Sequence, residues 1–179
     1  MADLRILSTM GLAGVLQAFG PEFEAAPASR LDAIFMPTVQ LLQRIRAGDR
    51  GDLAILTADA VDALETEGIL GPRTDLARSF IGLAVRAGTP HPDITASLAA
   101  DGRADLAIQQ VSELLVVPGV EIVGRLPPEP GGQTMFSAGL FHASPAGQAL
   151  IDALVDPARD DLYRRCGIEP AGSRPPRSP

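Results

Sequence analysis

Lysine is absent from this 179-residue chain: all 15 basic residues are arginine. That excludes Schiff-base chemistry and the phosphate-cradling lysine of a P-loop, which both need a primary amine. Tryptophan is absent too, tyrosine occurs once, and aromatics are only 4% of the chain, so the stacking platforms that hold bases or sugars are mostly missing. The lone Cys166 rules out an internal disulfide and any multi-cysteine metal site, and reads as a small residue near a helix end. Positive charge is outweighed, with a net charge of -7, which argues against nucleic acid or an anionic membrane as partner. No apolar run approaches the ~20 residues needed to cross a bilayer, so membrane insertion is not expected. The opening MADLRILSTMG lacks the basic region, long apolar stretch and small-residue cleavage site of a signal peptide, so the expected location is cytoplasmic. Neither His91 nor His142 has a metal-ligand residue at i+4, and no GxGxxG or GxSxG motif occurs. No metal and no cofactor is implied.

What is present is a core-forming composition, 46% hydrophobic, arranged in two alternating periods. Leu4 to Leu7 is a short apolar run of the buried-strand kind, and Gly11 to Ala25 carries Leu12, Val15, Leu16, Phe19 and Phe23 at helical spacing. Leu31 to Met36 is a second strand. Pro37-Thr38 opens a helix with Val39, Leu41, Leu42 and Ile45 on one side, closed by Arg46 and Gly48. Asp52 to Leu56 is a third strand, followed by a helix from Ala58 to Glu67. Strands and helices alternating over short connections imply a parallel sheet covered by helices.

Beyond residue 70 the pattern changes. Ala77 to Ala87 is a long apolar run of strand type, and a turn-rich break follows from Gly88 to Asp93. A short helix over Thr95 to Ala100, a strand over Asp105 to Ile108, a helix over Val111 to Leu115 and a strand over Val120 to Val123 come next. Pro127 to Gly132 is a breaker cluster and a candidate hinge. Thr134 to Phe141 reads as a strand, Ser144 opens a last helix through Leu154, and 171–179 is expected to be a disordered tail. One passage echoes another: AGDRGDLAILTADAVDAL at 47–64 resembles AADGRADLAIQQVSELL at 99–115. Reuse of a common unit explains the echo; two lobes of similar build facing each other would explain it as well.

In open α/β sheets, ligands bind beyond the carboxyl ends of the strands. Those positions hold Ser8 and Thr9 after the first strand, Thr38 after the second and Thr57 after the third, while Gln109, Gln110 and Ser112 follow the later DLAI strand. None is charged, so the expected site is a neutral, hydroxyl-lined cleft. A Ser or Thr at such a place caps the helix that follows, or turns its hydroxyl, with the neighbouring N–H groups, toward an anion. Capping accounts for any one of them; three successive strands ending this way point to a small anionic ligand. No residue among them is an evident catalytic base.

The segments LRILSTMGLAGVLQAFGPEFEAA, FMPTVQLLQRIRAGDRGDLAILTADAVDALETEGIL, ARSFIGLAVRAGTPHPDI, RADLAIQQVSELLVVPGVEIVGRLP and TMFSAGLFHASPAGQALIDALVDP resemble the molybdate-binding proteins of ABC transporters. More closely, they look like signal-less relatives that include aconitate isomerase. The resemblance implies the type II periplasmic-binding-protein fold, an α/β architecture with ligand held between two lobes. Residues 1–84 with 132–170 would form the first lobe and 85–131 the second. Ser8, Thr9, Thr38 and Thr57 match the first lobe's ligand-binding positions, and Gln109 and Gln110 the polar step of the second. The family carries a further strand and helices where Ile94 here runs directly into Thr95, which implies a shortened second lobe. The function implied is reversible binding of a small oxyanion or carboxylate. The alternatives are an isomerase of a small polycarboxylate, which would need a general base, and a degenerate copy. A lobe this short either stays mobile or is covered by a second copy of the chain, as a homodimer.

Overall fold

The computed structural model describes residues 2–25, 29–86, 107–115, 118–127 and 132–172. β1 (Ala2–Thr9) lies between β2 (Ser29–Met36) and β3 (Leu53–Thr57) and is parallel to both. Each of these strands is followed by a helix: α1 (Ala13–Glu24) after a single 3-10 turn at Met10–Leu12, α2 (Thr38–Arg46) and α3 (Ala58–Thr66). The helices cover both faces of the sheet, because strand side chains alternate between faces. Leu4, Ile6, Leu53 and Ile55 pack with Leu12, Val15, Leu16 and Phe19 on one face. On the other, Leu7, Ala54 and Leu56 pack with Leu41, Ile45, Val61 and Leu64. Val39 is exposed and takes no part, since it lies two residues, about 200° of helical turn, from Leu41. Gly48 and Gly68, both at positive φ, let α2 and α3 stop and turn back toward the sheet.

Past β3 the sheet becomes antiparallel. β7 (Gln133–Leu140) pairs with β3 on one side and with β4 (Thr74–Arg86) on the other. β4 changes partners partway along. Up to Phe80 it pairs with β7, and at Ala77–Ser79 also with β8 (Ile168–Pro170). From Ile81 it pairs with β5 (Ala107–Gln110) and β6 (Val120–Arg125). The chain on either side of residues 128–131 is tied to β4 at this point: Leu126 N donates to Ile81 O (2.8 Å), and Ile81 N to Gly132 O (2.9 Å).

Three sequence expectations are corrected. The later DLAI strand was expected to end at Ile108, but β5 includes Gln109 and Gln110, because both pair with β4 opposite Gly82 and Ile81. After α5 (Pro145–Val155) the chain continues through a 3-10 turn at Pro157–Arg159, α6 (Asp160–Arg165) and β8. Periodicity over so few residues is too short to show a helix, yet Tyr163 from α6 is buried in the core. The expected tail at 171–179 starts as structure, since Ala171 N donates to Leu76 O (3.0 Å); residues 173–179, like the expected helix at Thr95 to Ala100, lie outside the described residues.

Candidate functional site

The carboxyl ends of β1, β2 and β3 lie side by side, so Ser8, Thr9, Thr38 and Thr57 gather along one edge of the sheet. Ser8 and Thr9 are buried, whereas Thr38 and Thr57 are partly accessible. Thr38 Oγ1 donates to Thr9 Oγ1 (3.4 Å), and Ser8 Oγ donates to the Thr9 carbonyl (3.1 Å). Thr9 and Thr57 occupy N-cap positions, with extended backbone, yet neither side chain makes a capping hydrogen bond. Capping is made elsewhere in the same chain: Ser144 Oγ accepts from Gly147 N (3.1 Å), and the Asp156 carboxylate accepts from Ala158 N (2.8 Å). At the edge of β1 and β3 the hydroxyls are therefore not consumed by the helices they precede.

Gln109 and Gln110 part company. Strand alternation points them to opposite faces, and Gln109 is exposed, its Oε1 accepting from the Gln110 backbone N–H (3.2 Å). Gln110 turns inward over the 3-10 turn that follows Thr9, with its Oε1 buried and without a hydrogen-bond partner. A Cβ added to Gly11 would collide with Phe136 Cζ and stand 2.8 Å from that oxygen, so only glycine admits this approach. Ser112, on the one-turn helix α4 (Val111–Leu114), is buried with its Oγ 3.3 Å from Ser79 Oγ of β4. On the same turn, desolvation holds the Glu113 carboxyl above the usual carboxylate range.

Beside Thr57 the structure opens a cleft of about 530 Å³, lined by Thr57, Ala58, Arg78, Gln133, Thr134 and Met135. Asp59, exposed in the first turn of α3, also borders it. The residues expected from the sequence are uncharged, whereas this cleft also carries a cation, because β4 brings Arg78 to the same opening, in register with Met135 and Glu169 of its neighbours. The signal in the sequence was a cation flanked by Leu76, Ala77, Phe80 and Ile81 within the strand, a position where charge is rarely placed without a partner or a task. Nothing in the local pattern pointed to Gln133 or Thr134, which arrive from β7 some 75 residues later. His142 remains at the surface, its Nδ1 3.3 Å from the Ala143 carbonyl; His91 lies outside the described residues. Among the described residues no group of three or more His, Cys, Asp or Glu is placed to hold a metal, and no helix is long and apolar enough to cross a membrane.

Among solved structures, the chain is similar to the periplasmic molybdate-binding protein of Azotobacter vinelandii, with TM-score 0.70, 11% identity, and coverage of 93% of this chain and 98% of that one. It is also similar to a tungstate-binding protein of Desulfovibrio alaskensis, with TM-score 0.69, 12% identity, and coverage of 97% and 100%. At such identities the likeness shows the fold: a periplasmic-binding-protein architecture on a mixed, curled sheet. Among characterised sequences, it is 24% identical to the aconitate isomerase of a Pseudomonas species over an alignment of 237 residues, covering 98% of this chain and 90% of that protein. An alignment of that length against a chain of 179 residues leaves a substantial part of the isomerase with no counterpart here. The family model for bacterial extracellular solute-binding proteins matches residues 4–100, more than half of the sequence and all three parallel strands with their polar ends; the chain belongs to that family.

Proposed function

We propose that the chain binds a small anion reversibly at the carboxyl edge of β1–β3, between a first lobe of residues 1–84 with 132–170 and a second of residues 85–131. The single observation that carries this is the pair of N-cap threonines, Thr9 and Thr57, whose hydroxyls make no cap. Hydroxyls at helix starts, beside N–H groups at the positive end of the helix, are suited to an anion. Family membership and the oxyanion-binding names of the structural neighbours support the same chemistry. Titration calorimetry of the intact chain against molybdate, tungstate, sulfate, citrate and trans-aconitate tests it, with thermal shift as a second readout, since a ligand bound only by the native state raises the melting temperature. Absence of heat and of shift with every anion would remove the proposal.

A second reading, isomerisation of a small polycarboxylate, is favoured by one feature. Glu113 follows Gln110 on the turn packed near Gly11, and its burial-raised pKa suits a general base. Loss of deuterium from labelled trans-aconitate in the presence of the native chain, and its absence with Glu113→Gln, is the expected result of that reading.

A further inference from the structure

We propose that α4 is a fixed latch: packing within the chain seats it on the first lobe, so the lobe of residues 85–131 holds one position and does not swing on a hinge. This rests on the two-lobe division proposed above, and not on which anion binds or whether one does.

A lobe this short was expected either to stay mobile or to be covered by a second copy. The surroundings of α4 offer a third solution. A single helical turn has too few internal hydrogen bonds to persist alone, so Val111–Leu114 is ordered by what it touches. Val111, Ser112 and Leu114 are 3%, 7% and 5% exposed. Glycines from three separate elements make room for the turn. At Gly82 of β4, an added Cβ would stand 2.9 Å from Val111 Cγ2 and 3.4 Å from Leu114 Cδ1. At Gly167, between α6 and β8, it would collide with Leu115 Cδ1 and stand 2.9 Å from Val111 Cγ1. At Gly11, in the turn after β1, it would crowd Oε1 of Gln110, the residue that precedes the turn. Gly11 and Gly167 both belong to the first lobe, so two distant parts of that lobe form the seat.

A polar tie runs beside the packing. Ser112 Oγ lies 3.3 Å from Ser79 Oγ, and both serines are buried. Ser79 is in the part of β4 that pairs with β7 and β8, which is the first lobe's part. Swinging the second lobe away would draw Val111 and Leu114 into water and leave the buried Ser79 hydroxyl without Ser112, both unfavourable. The connection is stiff as well. β4 runs unbroken from Thr74 to Arg86, and Ile81 at its change of partners is bonded through both its N–H and its carbonyl, to Gly132 O and Leu126 N. A ligand shifts a protein between arrangements only where two are populated. With α4 seated, one is.

The test is the distance between spin labels on Gln43→Cys in α2 and Ile108→Cys in β5, both exposed, in a Cys166→Ser background. It is measured by double electron–electron resonance on the chain alone and with molybdate or trans-aconitate. One narrow distance is expected, the same in all three samples. Val111→Ala with Leu114→Ala, which empties the seat, should broaden it. Two distances in the chain alone would overturn the proposal, as would a shift of more than about 2 Å on adding either anion, the scale of a domain rearrangement. A distribution that stays narrow in the folded double variant would overturn it too, since something other than α4 would then hold the lobe. Should the double variant fail to fold, Ser112→Ala is read in its place, again with broadening expected and an unchanged narrow distance counting against the latch. Should neither anion bind, the anion reading falls, and the distances in the chain alone and in the variants still decide this one.

Discussion

Two passages of this chain that share the letters Asp-Leu-Ala-Ile fold to opposite effect. In the first, Leu53, Ala54, Ile55 and Leu56 are all fully buried, and a nine-residue helix, α3, follows. In the second, Ile108, the counterpart of Ile55, is 59% exposed, and the helix that follows, α4, is a single turn. The strands also differ in direction, since β3 is parallel to β1 whereas β5 is antiparallel to β4. Neighbours cause the difference. β3 is covered on both faces by clusters that include α1, α2, α3 and α5. Its entry is also fastened, with Asp52 accepting from Arg5 N (2.9 Å) and from Ser144 Oγ (3.0 Å). β5 has β4 on one side and exposed apolar residues, Ile108 and Leu115, nearby.

The comparison breaks most visibly at the matched isoleucines. Ile55→Ala should cost about 2–5 kcal/mol, the usual range for emptying a fully packed aliphatic site, whereas Ile108→Ala should stay within about 0.5 kcal/mol as an exposed change. Urea denaturation of both variants measures the contrast, and equal losses would mean that β5 is as deeply covered as β3. Next in size is Gly11→Ala, at the point where Gln110 of the second passage meets the 3-10 turn after β1. The new methyl would meet Phe136 and Gln110, and overpacking of this kind costs about 1–3 kcal/mol. Thermal melting should show the loss, together with weakened anion binding.

Smaller effects sharpen the contrast between hydroxyls that cap and hydroxyls that do not. Ser144→Ala should lower stability by about 1 kcal/mol through its lost cap. Thr57→Ala, with no cap to lose, should leave the melting temperature nearly unchanged and weaken anion binding by about 1–3 kcal/mol in calorimetry. The smallest expected effect is on pH dependence. Glu113, in the second passage, has its pKa raised by burial, so between the ordinary carboxylate range and that raised value the native state holds a proton the unfolded chain has lost. Its contribution is fully present at lower pH and lost as pH rises through the folded pKa. Glu113→Gln should flatten stability against pH across that window in denaturation profiles from pH 4 to 7.

The sequence by itself determined the first three strands and their helices, and that Ser8, Thr9, Thr38 and Thr57 stand at one edge. Each of those features depends on residues within a few positions of one another: an apolar run, a hydroxyl at its end, an amphipathic helix and a closing glycine. The α/β class followed from the same alternation. Only the tertiary structure decided the rest. It brought Arg78, Gln133 and Thr134 beside Thr57 through pairing of β4 and β7, whose partners are far apart in the chain. It separated Gln110 from Gln109 by the register of β5 against β4. It also buried Ile55 while leaving Ile108 exposed, though both sit in the same four letters, Asp-Leu-Ala-Ile. Periodicity reports which residues can share a face; which face another part of the chain covers depends on long-range packing, and no local pattern contains it.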